Sequence, residues 1–379
     1  MFLARVPPGF SERKFILWVT LSDLNVQYRR TRTYTQAGDR IVTRADAQLV
    51  QDVYATLLPV ILDPVLDEAA AAIVRAGSRT MLVGETRDEY VARRMSDGRI
   101  ERESAGDFRA LAAGLDAAAG ARVLVTLDQE LGGIQRLQGL VPAMPTAAQA
   151  AALTEDELVA AVRLVGEAMR RLGVGLALAP IVDLTTGTNP WLVGRGLGDD
   201  PEVNGRIGRG YVLGLQGAGV AATAKHFPGS GPSPVDPATD ESTITYSADE
   251  LRKRHLLPFR AVVDAGVSAV MLGPCVVESV DATFPSSVSP ATVRLLREDV
   301  GFRGVIITDD LDSRSNARGR SEGESAVLAL KAGADLLLVG LIPSAHVVAE
   351  AIIAAVVSGE LDRARVAEAA ARVRSLADG

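Results

Sequence analysis

Residues 263–272, Val-Asp-Ala-Gly-Val-Ser-Ala-Val-Met-Leu, contain the pattern that decides the fold. A helical segment ends at Gly266, and a short, largely apolar run follows it. The same pattern occurs at three other glycines, Gly173, Gly219 and Gly333. Glycine suits the left-handed position that follows a helix, where a side chain would clash. The pattern therefore predicts four junctions between a helix and a following strand.

The apolar runs after these junctions have the composition of parallel strands that are buried on both faces. Four similar runs elsewhere bring the candidate strands to eight, the number that closes a (β/α)8 barrel. The candidates are Phe15 to Thr20, Thr80 to Val83, Arg122 to Leu127, Leu176 to Leu184, Ala221 to Phe227, Ser268 to Leu272, Val305 to Thr308 and Asp335 to Val339. An open doubly wound sheet shows the same alternation, but no glycine-rich phosphate loop follows an early strand to favour it. We therefore predict an α/β protein with a single TIM-like (β/α)8 barrel domain.

Residues 1–60 fit the repeating pattern least well. They contain Arg29, Arg30 and Arg32 and show little clear periodicity. We interpret this segment as an N-terminal extension or arm, for which an oligomer contact is one role. The barrel domain is predicted over residues 61–379.

The composition of the 379 residues is that of an ordinary globular protein, with 47% hydrophobic and 23% charged residues. The net charge of -7 argues against a broad electrostatic contact with nucleic acid. The single cysteine, Cys275, excludes an intramolecular disulfide and a cysteine-based zinc cluster, and is typical of a reducing compartment. Apolar stretches such as Ala351 to Val357 are far shorter than the roughly 20 residues of a membrane-spanning helix. We expect a cytoplasmic protein that has no membrane partner, cofactor or metal ion.

Polar clusters lie at the ends of three of the predicted strands. They are Asp128-Gln129-Glu130, Lys225-His226 and Asp309-Asp310. An acidic residue at a strand end often only caps the next helix, and this interpretation is sufficient for Asp128 alone. The loops at the carboxyl ends of parallel barrel strands build the active site, however, so three clusters, together with Arg195 in a nearby loop, predict a site there.

Five motifs in order along the chain resemble those of glycoside hydrolase family 3, specifically its single-domain bacterial β-N-acetylglucosaminidases. KHFPGSG, residues 225–231, is similar to the family's KHFPGHG. The other four motifs are DQELGGIQRL (128–137), NPWLVGRGLGDDP (189–201), GFRGVIITDDL (301–311) and ALKAGADLLLVG (329–340). The resemblance covers roughly residues 60 to 379. It implies a β-glycosidase acting on a small-molecule hexosaminide or a related amino-sugar conjugate.

The resemblance also implies roles for individual residues. Asp309 would be the nucleophile that forms a covalent glycosyl-enzyme ester, as in retaining glycosidases. The side chains that would hold sugar hydroxyls are Asp128, Arg136, Arg195, Lys225 and His226. If Arg136 or Arg195 is considered alone, the alternative to sugar binding is a solvated arginine on the protein surface.

The chain departs from the family where the proton donor is expected. The family's Asp-Ser-His triplet, whose histidine is the general acid and base, reads Asp236-Pro237-Ala238 here, and the second histidine of KHFPGHG is Ser230. Three carboxyls in this loop, on Asp236, Asp240 and Glu241, are candidate replacement acids. The alternative is that the proline-rich loop is only a rigid polar turn.

The sequence is compatible with three functions. The first is a glycosidase with a replacement acid. The second is an enzyme, acting by hydrolysis or phosphorolysis, that is restricted to leaving groups that depart without protonation. The third is a catalytically impaired sugar-binding pseudoenzyme.

Overall fold

The structure is a computed structural model that describes residues 47–185 and 189–379. Its strands are β1 Leu57–Ile61, β2 Thr80–Val83, β3 Leu124–Leu127, β4 Val174–Ala177, β5 Ala221–Phe227, β6 Thr243–Ile244, β7 Ala269–Leu272, β8 Val276–Val277, β9 Asp281–Pro285, β10 Val305–Ile307 and β11 Leu337–Leu341. Eight of these strands form one sheet in the order β10-β7-β5-β4-β3-β2-β1-β11. The short strands β6, β8 and β9 form a separate sheet.

Helices follow the strands around this sheet. They are α1 Ala47–Ala55, α2 Glu68–Arg75, α3 Arg87–Ala92, α4 Asp97–Arg102, α5 Ala105–Ala119, α6 Ala147–Ala152, α7 Glu155–Arg171, α8 Pro201–Gly217, α9 Ala248–Glu250, α10 Leu256–Asp264, α11 Pro290–Arg294, α12 Arg314–Ala317, α13 Glu322–Ala332, α14 Ile342–Ser358 and α15 Arg363–Asp378. Within the described ranges, no helix has the length and apolar character needed to cross a membrane.

The eight-stranded sheet closes on itself as a barrel. All of its paired strands are parallel, and a parallel bridge between Ile307 and Leu336 joins β10 to the start of β11. The four predicted junction glycines, at 173, 219, 266 and 333, all have positive φ angles. The prediction of a TIM-like (β/α)8 barrel is therefore confirmed.

The first barrel strand differs from the prediction. The candidate strand Phe15 to Thr20 lies outside the described residues, and β1 is Leu57–Ile61. The barrel thus begins before residue 61, where the sequence placed the boundary. Proline is unusual within a sheet because it lacks an N–H donor. Pro59 therefore argued against a strand at this point in the sequence. The pairing of β1 with β11 shifts register between Leu58 and Val60, which is where the proline lies.

The barrel interior is filled by apolar side chains from several strands. Leu58, Leu82, Leu124, Leu176 and Leu338 belong to one buried cluster. A second and larger cluster lies between the strands and the helices around them. The interior is therefore a packed layer, and it forms a low-dielectric floor beneath the carboxyl ends of the strands.

A buried carboxylate holds the seam between β10 and β11. Asp335 is fully buried and accepts hydrogen bonds from Arg297 Nη2 at 2.8 Å and Arg365 Nη2 at 2.7 Å. A third arginine, Arg372, lies with its Nε 3.8 Å from Asp335 Oδ1. Asp335 also contacts the β10 backbone, where Oδ2 accepts from the Ile306 N–H at 3.0 Å and its own N–H donates to the Ile306 carbonyl at 2.8 Å. The carboxylate therefore links the last two strands to α15 and to the segment that follows α11.

Replacing Asp335 with alanine should lower the free energy of unfolding by about 3 to 5 kcal/mol, because three arginines lose a buried partner. Guanidinium denaturation of the full chain measures this change. Glu368→Ala is the control, since Glu368 pairs with Arg365 and Arg372 at the surface, and it should change the free energy by less than about 1 kcal/mol. Equal effects from the two variants would contradict the role given to Asp335.

Candidate active site

A cavity of about 300 Å3 opens at the carboxyl ends of the barrel strands. Its floor includes apolar side chains of the barrel interior, such as Leu82, Leu178, Met271 and Leu338. The charged or titratable residues that line it are Glu85, Arg87, Tyr90, Asp128, Arg195, Lys225, His226, Asp309 and Asp310. The structure therefore brings the three predicted strand-end clusters and Arg195 into one cavity.

Glu130 lies behind the cavity wall and binds both of its buried cations. Arg195 donates to Glu130 through Nη2 at 2.7 Å and Nε at 3.1 Å, and Lys225 Nζ lies 2.9 Å from Glu130 Oε1. Burial alone would raise the pKa of Glu130, but Arg195 and Lys225 outweigh it and hold the pKa well below its ordinary value. The carboxylate therefore remains charged and keeps both cations in place.

Lys225 and Arg195 also contact residues that face the cavity. Lys225 Nζ lies 2.5 Å from Asp128 Oδ1, and Arg195 Nη1 donates to the Tyr90 hydroxyl at 2.6 Å. Burial would lower the pKa of Lys225, but Asp128 and Glu130 outweigh burial and raise it above its ordinary value. Both cations are therefore permanently charged donors at the cavity wall.

This network requires a glycine at position 133. A Cβ on Gly133 would lie 2.0 Å from Glu130 Oε2 and 2.7 Å from Arg195 Cγ. Such contacts are far shorter than van der Waals distances, so any side chain there would displace the ion pair. The sequence Leu131-Gly132-Gly133 places a glycine where the Glu130 and Arg195 side chains meet.

Asp309 follows β10 and presents one free carboxylate oxygen. Its N–H donates to Ser287 Oγ at 3.1 Å, and its Oδ1 accepts from the Asp310 N–H at 2.8 Å. Its Oδ2 is buried and has no hydrogen-bond partner among the residues that the structure describes. His226 Nε2 lies 4.0 Å from this oxygen. Burial raises the pKa of Asp309, and the nearby His226 opposes that rise.

Asp310 is exposed to the cavity, whose walls surround it and displace part of the solvent. This enclosure, together with the adjacent Asp309, raises the pKa of Asp310 well above its ordinary value. Two neighbouring carboxyls do not both ionise readily. His226 lies beside Asp309 and favours the ionised form of this member of the pair.

His226 is oriented by the carboxylate of Asp183, a residue that was not predicted from the sequence. Its Nδ1 lies 2.7 Å from Asp183 Oδ2, which also accepts the His226 N–H at 2.9 Å. Asp183 is fully buried, and its other oxygen accepts the Ser230 N–H at 2.6 Å. The carboxylate places the ring proton on Nδ1, so Nε2 faces Asp309. The ring also packs 4.4 Å from the ring of Trp191.

The three candidate acids of the proline-rich loop do not line the cavity. Asp236 pairs with Arg87 at 2.5 Å, while Asp240 accepts from the Thr239 hydroxyl at 2.8 Å and Glu241 pairs with Arg318 at 3.3 Å. The residues of this loop that line the cavity are Pro237 and Ala238, whose side chains carry no proton donor.

Arg136 also lies outside the cavity, although the family resemblance implied that it holds sugar hydroxyls. It is 1% exposed, and its two Nη atoms donate to the two oxygens of Glu103 at 2.7 and 2.8 Å. Its remaining bonds go to the carbonyls of Gly84 at 2.8 Å and Leu62 at 3.2 Å. Arg136 therefore joins the loops that follow β1 and β2, and it is not among the residues that line the cavity.

Glu85 was not predicted as a site residue from the sequence, but in the structure it lines the same cavity as Asp128. It lies two residues after the end of β2, as Asp309 lies two residues after the end of β10, so the same strand-end rule applied to it. Its Oε2 is buried and has no partner in the described part of the chain. Burial, Asp128 and Glu130 raise the pKa of Glu85 to about 8, against the opposing effects of Lys225 and Arg136.

The described ranges contain no group of three or more histidine, cysteine or acidic side chains arranged to hold a metal ion.

Comparison with known proteins places these features in a family. The model of the glycosyl hydrolase family 3 N terminal domain matches residues 91–376. A Beta-hexosaminidase from Xanthomonas oryzae pv. oryzae is 36% identical over 237 residues, which are 60% of this chain and 70% of that protein. A family 3 beta-N-acetylglucosaminidase from Paenibacillus sp. has a TM-score of 0.79 at 28% identity, over 86% of this chain and 62% of that one. A Beta-N-acetylhexosaminidase from Beutenbergia cavernae has a TM-score of 0.75 at 28% identity, over 88% of this chain and 99% of that one.

Arg136→Ala should lower the free energy of unfolding by about 3 to 5 kcal/mol, because a fully buried side chain is removed, Glu103 loses one of its two arginine partners and the Gly84 carbonyl loses its donor. Chemical denaturation measures the loss. Arg102→Ala is the control, since its 3.4 Å contact with Asp63 is at the surface, and it should change the free energy by less than about 1 kcal/mol. An unchanged stability in Arg136→Ala would show that the site does not depend on these bonds.

Proposed function

Because the chain belongs to glycoside hydrolase family 3, we propose that it is a retaining β-glycosidase that acts on an N-acetylhexosaminide or a related amino-sugar conjugate. The observation that supports this most directly is the position of Asp309, whose Oδ2 is buried at the cavity, unpartnered in the described structure and 4.0 Å from His226 Nε2. A nucleophilic carboxylate needs an oxygen that is not already engaged by the protein.

In the proposed reaction, Asp309 Oδ2 attacks the anomeric carbon of the sugar. The bond from that carbon to the leaving-group oxygen breaks, and its electron pair goes to that oxygen. A glycosyl ester of Asp309 forms, and water later cleaves it with overall retention of configuration. His226 supports the ionised nucleophile, since Asp183 holds its ring in place.

Asp128, Lys225 and Arg195 would bind the sugar hydroxyls. Lys225 and Arg195 are donors, Asp128 is an acceptor, and their contacts with Glu130 and with each other hold them in position before the sugar arrives. Donors that are already oriented need little rearrangement when charge develops in the transition state. The cavity volume is near the lower limit for small-molecule sites, which suits one sugar ring better than a polymer segment.

The loop after β5 favours a second candidate function. Ala238 lines the cavity, and the loop's carboxyls on Asp236, Asp240 and Glu241 do not. An enzyme without a proton donor would act only on leaving groups that depart as stable anions, by hydrolysis or by transfer to phosphate. A sugar-binding pseudoenzyme would retain the cations but would not need a free Asp309 oxygen.

Asp309→Ala should abolish turnover of aryl N-acetyl-β-glucosaminides, because the covalent route needs this carboxylate. A fluorinated N-acetylglucosaminyl fluoride that slows ester hydrolysis should label the native enzyme on the peptide containing Asp309, as mass spectrometry of a digest would show. Asp240→Asn is the matched control and should label normally. Full turnover by Asp309→Ala, or a label on another peptide, would refute the assigned nucleophile.

Lys225→Ala or Arg195→Ala should lower kcat/KM in the same assay by the equivalent of about 1 to 3 kcal/mol, because each removes a charged hydrogen bond to the sugar. Glu241→Ala, which changes an exposed residue outside the cavity, serves as the control. Unchanged kcat/KM in both cation variants would mean that the sugar binds elsewhere on the barrel.

A further inference from the structure

Cleavage of an ordinary glycoside needs a proton on the departing oxygen, and the loop that would carry the family's histidine offers Ala238. We infer that Glu85, at the end of β2, is the general acid and base of this enzyme. The inference rests on the proposed glycosidase function and names the side chain that completes it.

The other titratable groups of the cavity are poorly placed for this role. His226 Nε2 and Asp310 both lie beside the nucleophile, whereas a general acid acts at the leaving group. Lys225 and Arg195 are held as cations by Asp128 and Glu130, and the ion pair with Lys225 in turn engages the Asp128 carboxylate. The Tyr90 hydroxyl already accepts hydrogen bonds from Arg195 and from Trp191 Nε1, and these contacts hold it at the wall.

Glu85 differs from all of these groups. Its Oε2 is buried at the cavity and has no protein partner in the ranges that the structure covers. Both catalytic steps require such an oxygen, since it must bind the leaving group first and a water molecule afterwards.

The loop that carries Glu85 also reaches the loop where the family resemblance implies the histidine. Arg87, two residues after Glu85, pairs with Asp236 at 2.5 Å, and Ala238, two residues after Asp236, lines the same cavity as Glu85. A carboxyl at the end of β2 therefore enters the cavity beside the segment that has lost its proton donor.

The charges around Glu85 favour its protonated form near neutral pH. Asp128 and Glu130 after β3 repel its anion, and Lys225 on β5 and Arg136 attract it. Asp310 after β10 also lies within electrostatic range of Glu85. Together with burial these groups raise the pKa of Glu85 to about 8. Asp309, which lies beside His226, loses its proton more readily than Glu85. A general acid must carry its proton and a nucleophile must be ionised, and these are the two forms that the surroundings of Glu85 and Asp309 favour.

In the first step, Glu85 gives its proton to the leaving-group oxygen as Asp309 attacks the anomeric carbon, so a neutral alcohol departs and Glu85 becomes a carboxylate. In the second step, Glu85 takes a proton from water while the water oxygen attacks the same carbon. The bond to Asp309 then breaks and its electron pair returns to the Asp309 carboxylate. The enzyme regains its starting protonation state.

The test is Glu85→Gln, assayed with aryl N-acetyl-β-glucosaminides whose phenols differ in pKa. We expect kcat/KM to fall by about 10²- to 10⁴-fold for poor leaving groups and by much less for dinitrophenyl-type leaving groups, which need no proton. With those activated substrates kcat and KM should fall together, because the glycosyl-enzyme accumulates. Azide should restore turnover and yield a β-glycosyl azide. The fall in native kcat/KM above about pH 8 should disappear in this variant.

Asp240→Asn and Glu241→Gln are the matched controls, since these carboxyls lie outside the cavity, and their leaving-group dependence should equal that of the native enzyme. Ala238→His in the Glu85→Gln background should recover rate selectively for poor leaving groups. Circular dichroism checks folding, and Glu85→Asp, which keeps the carboxyl, should retain azide-independent turnover if the glutamine variant misfolds.

Two results would overturn the inference and are distinguishable from each other. If Glu85→Gln slows all substrates equally and azide has no effect, Glu85 binds the sugar ring and is not the acid, while labelling of Asp309 still supports the glycosidase. If the native enzyme neither turns over activated substrates nor labels at Asp309, the proposed function itself fails, and the role of Glu85 fails with it.

Discussion

The arrangement of the active site depends on the buried carboxylate of Glu130. Two cations bind it at once, and they come from different parts of the chain: Arg195 from the segment before α8 and Lys225 from β5. An unpaired charge buried at this depth would be strongly destabilising, so the two segments and the loop after β3 are held together as one unit. Gly133 makes this possible, because any Cβ there would occupy the space of the ion pair.

The barrel interior adds a second constraint, since its leucine layer keeps the floor of the cavity apolar. On this floor, burial raises the pKa of Asp309 and of Glu85, and the difference between them comes from their neighbours. Asp309 lies beside His226, whereas Glu85 lies beside two carboxylates. One apolar floor therefore accommodates a carboxylate that ionises and a carboxyl that keeps its proton, a division that suits the proposed chemistry.

The loop after β5 illustrates how a barrel separates its fold from its chemistry. Its carboxyls pair with Arg87 and Arg318 or bond within the loop, and it still contacts the loop after β2. Each loop is attached to its own strand, so a change in one leaves the strands and the neighbouring loops in place. A function lost at one strand end can therefore be supplied from another, as we propose for Glu85.

The barrel strands and the position of most site residues can be predicted from the sequence alone, because they depend on patterns of neighbouring residues. Glycines after helices and apolar runs after them predict barrel strands. A polar residue at or just after the end of a strand lies at the carboxyl end of the barrel, which places Asp128, Lys225 and Asp309 in one region. The tertiary structure decided the rest. β1 contains Pro59 and was not predicted from the sequence; its pairing with β11 and β2 identifies it as a barrel strand. Arg136 turns away from the cavity because Glu103 and two carbonyls lie on its other side. The free oxygen of Glu85 and the engaged carboxyls of the β5 loop likewise follow from partners that are distant in sequence. A residue's position along a strand is encoded locally, but the direction and charge state of its side chain depend on the residues that pack around it.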